Sequence, residues 1–192
     1  MGRAIRRANT TCIDPLMKFL GTGIVGAQLI ELEPHVDSRG FLARSWSHVD
    51  FQSQGLNTNL SECSLSFNRF RGTLRGMHYQ IAPHEEAKLV MCVRGLVYDV
   101  IVDLRKNSDT YLKWFATELS LESGRLLYVP ESVAHGYLTL EDDTYIHYQI
   151  AGSHEPSAAR GARWNDPSLN IQWPQQPTFM SERDRSFEDY IP

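Results

Sequence analysis

Turn chemistry recurs along this chain roughly every ten residues, and the runs between the turns are short and strand-like. Ile24–Leu32 is apolar and partly alternating, and the stretch His35–Gly40 breaks it. Phe41–Trp46 resumes a strand, whereas Phe51–Asn59 is polar, contains a glycine, and reads as a loop or short helix. Leu60–Phe67, Thr73–Gln80, Ala87–Arg94, Leu96–Leu104, Trp114–Ser120, Leu126–Val129, Gly136–Leu140 and Tyr145–Ile150 follow as strands. Gly95 reads as a hairpin turn, and Met180–Ile191 alone reads as helical or irregular. Many short strands at even spacing predict an all-β sandwich or barrel.

The 192 residues suffice for one domain, expected over residues 17–192 with Met17 opening it. Residues 1–16 are basic at first, lack the apolar core of a secretory signal, and read as an unstructured leader. The net charge of −4 argues against nucleic acid or an anionic membrane as partner, yet leaves room for a small anion held by a local Arg and Lys cluster. No apolar run approaches the ~20 residues of a membrane span. Cys12, Cys63 and Cys92 are odd in number and form no CxxC, which predicts neither a disulfide framework nor a zinc ribbon and favours a cytoplasmic setting.

Alternation along Leu96–Leu104 puts Tyr98, Val100, Val102 and Leu104 on one face and Asp99 and Asp103 on the other, with Val97 and Ile101. Two carboxylates facing a barrel interior are costly unless something there uses them, and a solvated face is the alternative. Two histidine neighbourhoods also stand out. Gly72-Thr-Leu-Arg-Gly-Met-His78-Tyr-Gln80 and Gly124-Arg-Leu-Leu-Tyr-Val-Pro130-Glu-Ser-Val-Ala-His135 resemble the two consensus motifs of the cupin superfamily, small jelly-roll β-barrels. Metal-binding cupins have a second histidine where Gln80 stands, and an amide is a poor substitute for imidazole. His78, His135 and one of Glu85 or Glu86 could still form a three-ligand site, but no metal and no other cofactor is expected. An inward His78 is then a proton-transfer group. Arg75 and Lys88 nearby in sequence suggest an anionic substrate and a developing negative charge.

Longer stretches resemble the dTDP-4-dehydrorhamnose 3,5-epimerase family, metal-free cupins acting on nucleotide-linked 4-keto-6-deoxy sugars. They are Asp37-Ser-Arg-Gly-Phe, Gly72–Gln80, Lys88-Leu-Val, Tyr98–Arg105, Val129–Tyr137, Gly161-Ala-Arg-Trp-Asn-Asp-Pro with Ile171-Gln-Trp-Pro, and the tail Ser181-Glu-Arg-Asp. The resemblance implies His78 as base, Asp166 as its carboxylate partner, Tyr148 as acid on the opposite face, and Lys88 as the cation near the enolate oxygen. It implies Arg39 and Arg75 as diphosphate clamps, with His135 and Asp103 as further pocket residues. It also implies a homodimer in which N-terminal strands join the partner's sheet, with Ile24–Leu32 as the candidate. The residues alone leave plainer readings open: Tyr148 as core, Asp166 as the cap of a turn, Arg39 as an exposed turn cation.

Departures from the family pattern fall on the recognition side. Arg44 stands where Glu is usual, Glu62 and Ser64 where Gln and Asn are usual, Glu86 where Gln is usual, and Ser153 and His154 where two tyrosines are usual. Arg44 and Glu62 are therefore expected to contact the nucleotide base and to disfavour the dTDP sugar, unless they bridge each other. The reading is an epimerase inverting C3, C5 or both. The alternatives are a CDP- or GDP-linked keto-sugar epimerase, a metal-binding cupin, and a non-catalytic sugar-nucleotide binder.

Overall fold

The computed structural model describes residues 17–192, and the leader expected over residues 1–16 lies outside them. The elements in chain order are β1 (Met17–Gly21), β2 (Gln28–Leu32), β3 (His35–Asp37), β4 (Gly40–Leu42), α1 (His48–Ser53), β5 (Leu60–Asn68), β6 (Thr73–Gln80), β7 (Ala87–Arg94), β8 (Val97–Asp103), β9 (Trp114–Leu119), β10 (Arg125–Val129), β11 (Val133–Thr139), β12 (Thr144–Ala151), β13 (Ala159–Gly161), β14 (Phe179–Met180) and α2 (Glu182–Arg185). Two sheets face each other as a jelly roll. One runs β1-β2-β10-β7-β12-β5 and the other β13-β6-β11-β8-β9, with β14 added parallel to β6. Among the described residues no helix is long and apolar enough to cross a membrane.

Alternation decides what each strand gives to the interior. Val97, Ile101, Val90, Leu127, Val133, Tyr137 and Ile146 pack between the sheets. Val100, Val102, Leu104 and Met77 turn outward but are covered by Ala162, Leu169, Ile171 and Trp173 of the C-terminal segment. Both faces of β8 are thus buried, so Asp99 and Asp103 have no solvated face at all. The other outer face is covered by α1, whose Phe51 packs with Ile30, Leu89 and Leu126. Full burial of such a side chain stabilises by roughly 1.5–3 kcal/mol.

Two expectations are corrected. Gly95 does not close a hairpin, because β7 pairs with β10 and β12 while β8 pairs with β11 and β9. The residue is a corner at which the chain passes between sheets. Its φ of +81° and a would-be Cβ only 2.4 Å from Thr144 Oγ1 both demand glycine. Ile24–Leu32 is not a free edge strand. Residues 22–27 form a turn, closed by Ala27 N donating to Ile24 O, and Gln28–Leu32 is paired on both sides within its own sheet. Its sheet ends at β1 and β5, which among the described residues pair only with β2 and β12.

Candidate active site

His78 on β6 and His135 on β11 are directly opposed in register within one sheet. Lys88 on β7 and Tyr148 on β12 belong to the facing sheet. All four line one cleft of about 420 Å³, with Glu62, Ser64, Glu86, Ile150 and His154 completing its wall. A larger groove of about 770 Å³ lies near α1, with Glu131 and Arg105 in its lining. There Glu131 accepts from Asn57, and Arg105 is held by Asp103.

The partner of His78 is Asp184, not Asp166. His78 Nε2 lies 2.7 Å from Asp184 Oδ1. Ser181 caps α2 by accepting from Asp184 N, and this one-turn helix presents the carboxylate under β6. Burial pushes the Asp184 carboxyl up. The hydrogen bond and charge of His78, with donors at Gly76 and Ser181, outweigh it and hold the group below the ordinary carboxylate range. An ionised carboxylate only accepts, so the ring nitrogen it holds carries the proton. Nδ1, the opposite nitrogen, is left with the lone pair a base requires.

Asp166 serves the turn reading. Its Oδ1 accepts from Ser168 N at 2.8 Å and Ser168 Oγ at 2.5 Å, and its Oδ2 accepts from Tyr190 N. Asp103 also stands apart from the cleft. It is locked by Arg105, Ser108 and Thr110 in the loop after β8, and the aspartate beside His135 is Asp99. His135 Nε2 lies 2.9 and 3.0 Å from the two Asp99 oxygens, both side chains being buried. Burial pushes the Asp99 carboxyl up, and the charge and hydrogen bond of His135 pull it only partly back.

Tyr148 lies edge-on to His135, with ring centroids 6.0 Å apart. Burial first, then Tyr137 and Asp99, hold its phenol well above 10, so it keeps its proton at neutral pH and can donate it. Lys88 Nζ is 2.8 Å from Glu86 Oε1, with side chains 12% and 9% exposed. The cation thus arrives in the cleft already paired, a feature the sequence marked only as a departure at position 86.

The predicted recognition residues divide. Glu62 lines the cleft. Arg44 does not; it lies 3.6 Å from Asp50 and bridges that residue rather than Glu62. Arg75 is exposed, with Nε donating to Asn68 Oδ1 at 2.8 Å, and its positive charge acts on the Tyr148 phenol. Arg39 sits at the tip of the β3–β4 hairpin, 88% exposed and paired with Asp37, away from the cleft of its own chain. His78 and His135 give their Nε2 atoms to Asp184 and Asp99, and among the described residues no group of three His, Cys, Asp or Glu side chains is placed to hold a metal ion.

Sequence reasoning missed Asp184 and Phe187, whose ring lies 6.0 Å from that of His78; it placed Asp99 in the interior but did not pair it with His135. A signal for Asp184 was present: Ser181-Glu-Arg-Asp has a capping serine three residues before the aspartate.

Comparison with known proteins shows the family. The family model for dTDP-4-dehydrorhamnose 3,5-epimerase matches residues 21–190. A dTDP-4-dehydrorhamnose 3,5-epimerase of Sinorhizobium fredii is 37% identical over 171 residues, covering 88% of each chain. A dTDP-4-dehydrorhamnose 3-epimerase of Streptomyces niveus is also 37% identical over 171 residues, 88% of this chain and 82% of that one. The crystal structure of the Bacillus anthracis dTDP-4-dehydrorhamnose 3,5-epimerase, with TDP and PPi bound, superposes with a TM-score of 0.87 at 34% identity, covering 91% of this chain and 99% of that one. With a match over nearly its whole described length, the chain belongs to the dTDP-4-dehydrorhamnose 3,5-epimerase family.

Proposed function

We propose that the protein is an epimerase of a nucleoside-diphosphate-linked 4-keto-6-deoxy sugar, with dTDP-4-dehydro-6-deoxyglucose as its first candidate substrate. The observation that carries this reading is the placement of His78–Asp184 and Tyr148 on facing sheets of one cleft. Inversion needs a proton removed from one face of a carbon and another delivered to the opposite face. The 4-keto group acidifies the hydrogens on C3 and C5. His78 takes one of them, the C–H electron pair moves into an enolate ending on O4, and Tyr148 gives its proton to the other face. His78 then loses its proton to solvent and Tyr148 regains one. Lys88 supplies positive charge for the enolate oxygen, and Asp184 holds the His78 ring and balances its imidazolium.

The test is to follow the dTDP sugar in D₂O by NMR. Wild type should invert and wash deuterium into C3, C5 or both, and His78→Ala should lose ~10²–10⁴ in rate. A His78→Ala protein keeping more than about half the activity contradicts the role. The Streptomyces niveus relative is named a 3-epimerase and the Sinorhizobium one a 3,5-epimerase, so the positions of wash-in assign this chain to one pattern.

A second reading, a CDP- or GDP-linked substrate, draws on the wall of Glu62, Ser64, Glu86 and His154. It predicts weaker use of the dTDP sugar and a shift toward it in Glu62→Gln. A tenfold preference of the unmodified protein for the dTDP sugar over its CDP and GDP analogues defeats this reading.

A homodimer belongs to the same proposal. Support comes from the open β5 edge and from the β3–β4 hairpin, which extends Val36, Phe41 and Leu42 into solvent at 76%, 57% and 75% exposure. Residues 1–16 remain a proposed leader to the single domain 17–192. Free thiols at Cys63 and Cys92 and a nucleotide-sugar substrate favour a cytoplasmic setting.

A further inference from the structure

We propose that Asp166 is a positioning residue of the active site, acting on His78 through the C-terminal strap that carries Asp184. The inference rests on the reading of His78 and Asp184 as base and partner. Asp184 belongs to no barrel strand; it hangs on a segment tied down at two ends. At the near end, Phe179 and Met180 of β14 pair parallel with Thr73 and Leu74 of β6. At the far end, Tyr190 N donates to Asp166 Oδ2, and Asp189 Oδ1 lies 2.5 Å from Arg163 Nη2.

Between these ties α2 has a single turn, too short to stand alone. Phe187 then crosses Gly161, the β13 residue paired with His78, so closely that a Cβ there would meet the ring at 2.0 Å. The same ring lies edge-on to His78, with centroids 6.0 Å apart, and Arg183 lies over it at 5.9 Å. The position of Asp184 therefore depends on where the strap is pulled taut, and Asp166 supplies the acceptor at that point.

The chemistry of Asp166 suits an anchor. Burial pushes its carboxyl up, but donors at Ser168, Tyr190 and Leu169 outweigh it and hold the group below the ordinary range, so it is an anion with both oxygens used. Oδ1 fixes the turn of residues 166–168, and Oδ2 reaches across 24 residues to the strap. The turn residue and the strap are thereby built as one piece.

The experiment is a double-mutant cycle on the full chain, read as deuterium wash-in. Asp166→Ala should lower kcat by ~10- to 100-fold with KM changed less than about twofold, as expected for a misplaced catalytic group. Its pH–rate profile should coincide with that of Asp184→Asn. Asp166→Ala combined with Asp184→Asn should be no slower than Asp184→Asn alone, because both act through the same contact. Hydrogen exchange at residues 182–190 should quicken while that of β6 and β11 stays at the wild-type level.

Should Asp166→Ala fail to fold, Tyr190→Pro removes the amide donor and leaves Asp166 and its turn in place; the same fall in kcat is expected. Wild-type kcat in either folded variant, or a double mutant in which the two losses multiply, overturns the proposal. If instead Asp184→Asn itself exchanges at the wild-type rate, the failure lies with the pairing of His78 and Asp184 and not with the anchor.

Discussion

Glu86 and Lys88 form the one ion pair lying within the cleft wall among the described residues. Removing one member of such a pair leaves an uncompensated charge and is strongly destabilising when it is buried, ~3–5 kcal/mol. Glu86→Gln is therefore expected to lower the melting temperature and, by freeing Lys88, to tighten binding of the dTDP-linked 4-keto sugar by ~3- to 10-fold. Calorimetric titration with that sugar nucleotide checks this, and an unchanged Kd argues that Lys88 does not face the sugar. The site was legible in the sequence wherever a residue's own strand carried it, as with His78, His135, Lys88 and Tyr148. It was illegible where a partner arrives from a distant segment. Asp184 lies 106 positions from His78, and the capping serine three residues before it marks the start of a helical turn without telling which strand that turn lies against.

At the scale of elements, the loop between β8 and β9 is closed by Asp103, which accepts from Arg105, Ser108 and Thr110. Burial pushes the Asp103 carboxyl up, but these hydrogen bonds dominate and bring it down to about 2. A carboxylate depressed in the folded state adds stability that is present above its unfolded pKa near 4 and is lost as pH falls toward 2. Asp103→Asn should thus lower stability at pH 7 by ~1–3 kcal/mol and flatten its dependence on pH between about 4 and 2. Urea unfolding at several pH values decides it, an unchanged slope being the contrary result.

The strands themselves were largely readable. Thr73–Gln80 and Ala87–Arg94 coincide with β6 and β7, and the polar stretch near residue 51 holds α1. What failed was connectivity. Alternation tells which face a side chain takes but not which strand lies alongside, so Gly95 looked like a hairpin turn although its flanking strands belong to different sheets. The residue-22–27 turn was absorbed into a strand because Ile24 and Ala27 are apolar and buried, yet buried in a turn.

For the whole molecule, the exposed hairpin predicts assembly. Replacing Phe41 and Leu42 by Asp should turn a dimer into a monomer in light scattering, because two charges placed on an apolar contact are desolvated without partners. As neither residue is buried within its own chain, far-UV circular dichroism should not change. A wild-type protein already monomeric at micromolar concentration contradicts the assembly.

In the proposed mechanism the barrel works as a unit: one sheet removes a proton and the facing sheet returns one. The measurement that tests it most directly is the ratio of deuterium wash-in to inversion in Tyr148→Phe, followed by NMR with the 4-keto sugar in D₂O. Wash-in should persist, because His78 still removes the proton and can return solvent deuterium to the same face, while inversion falls by ~10²-fold or more. An equal loss of both, or inversion at the wild-type rate, would contradict it.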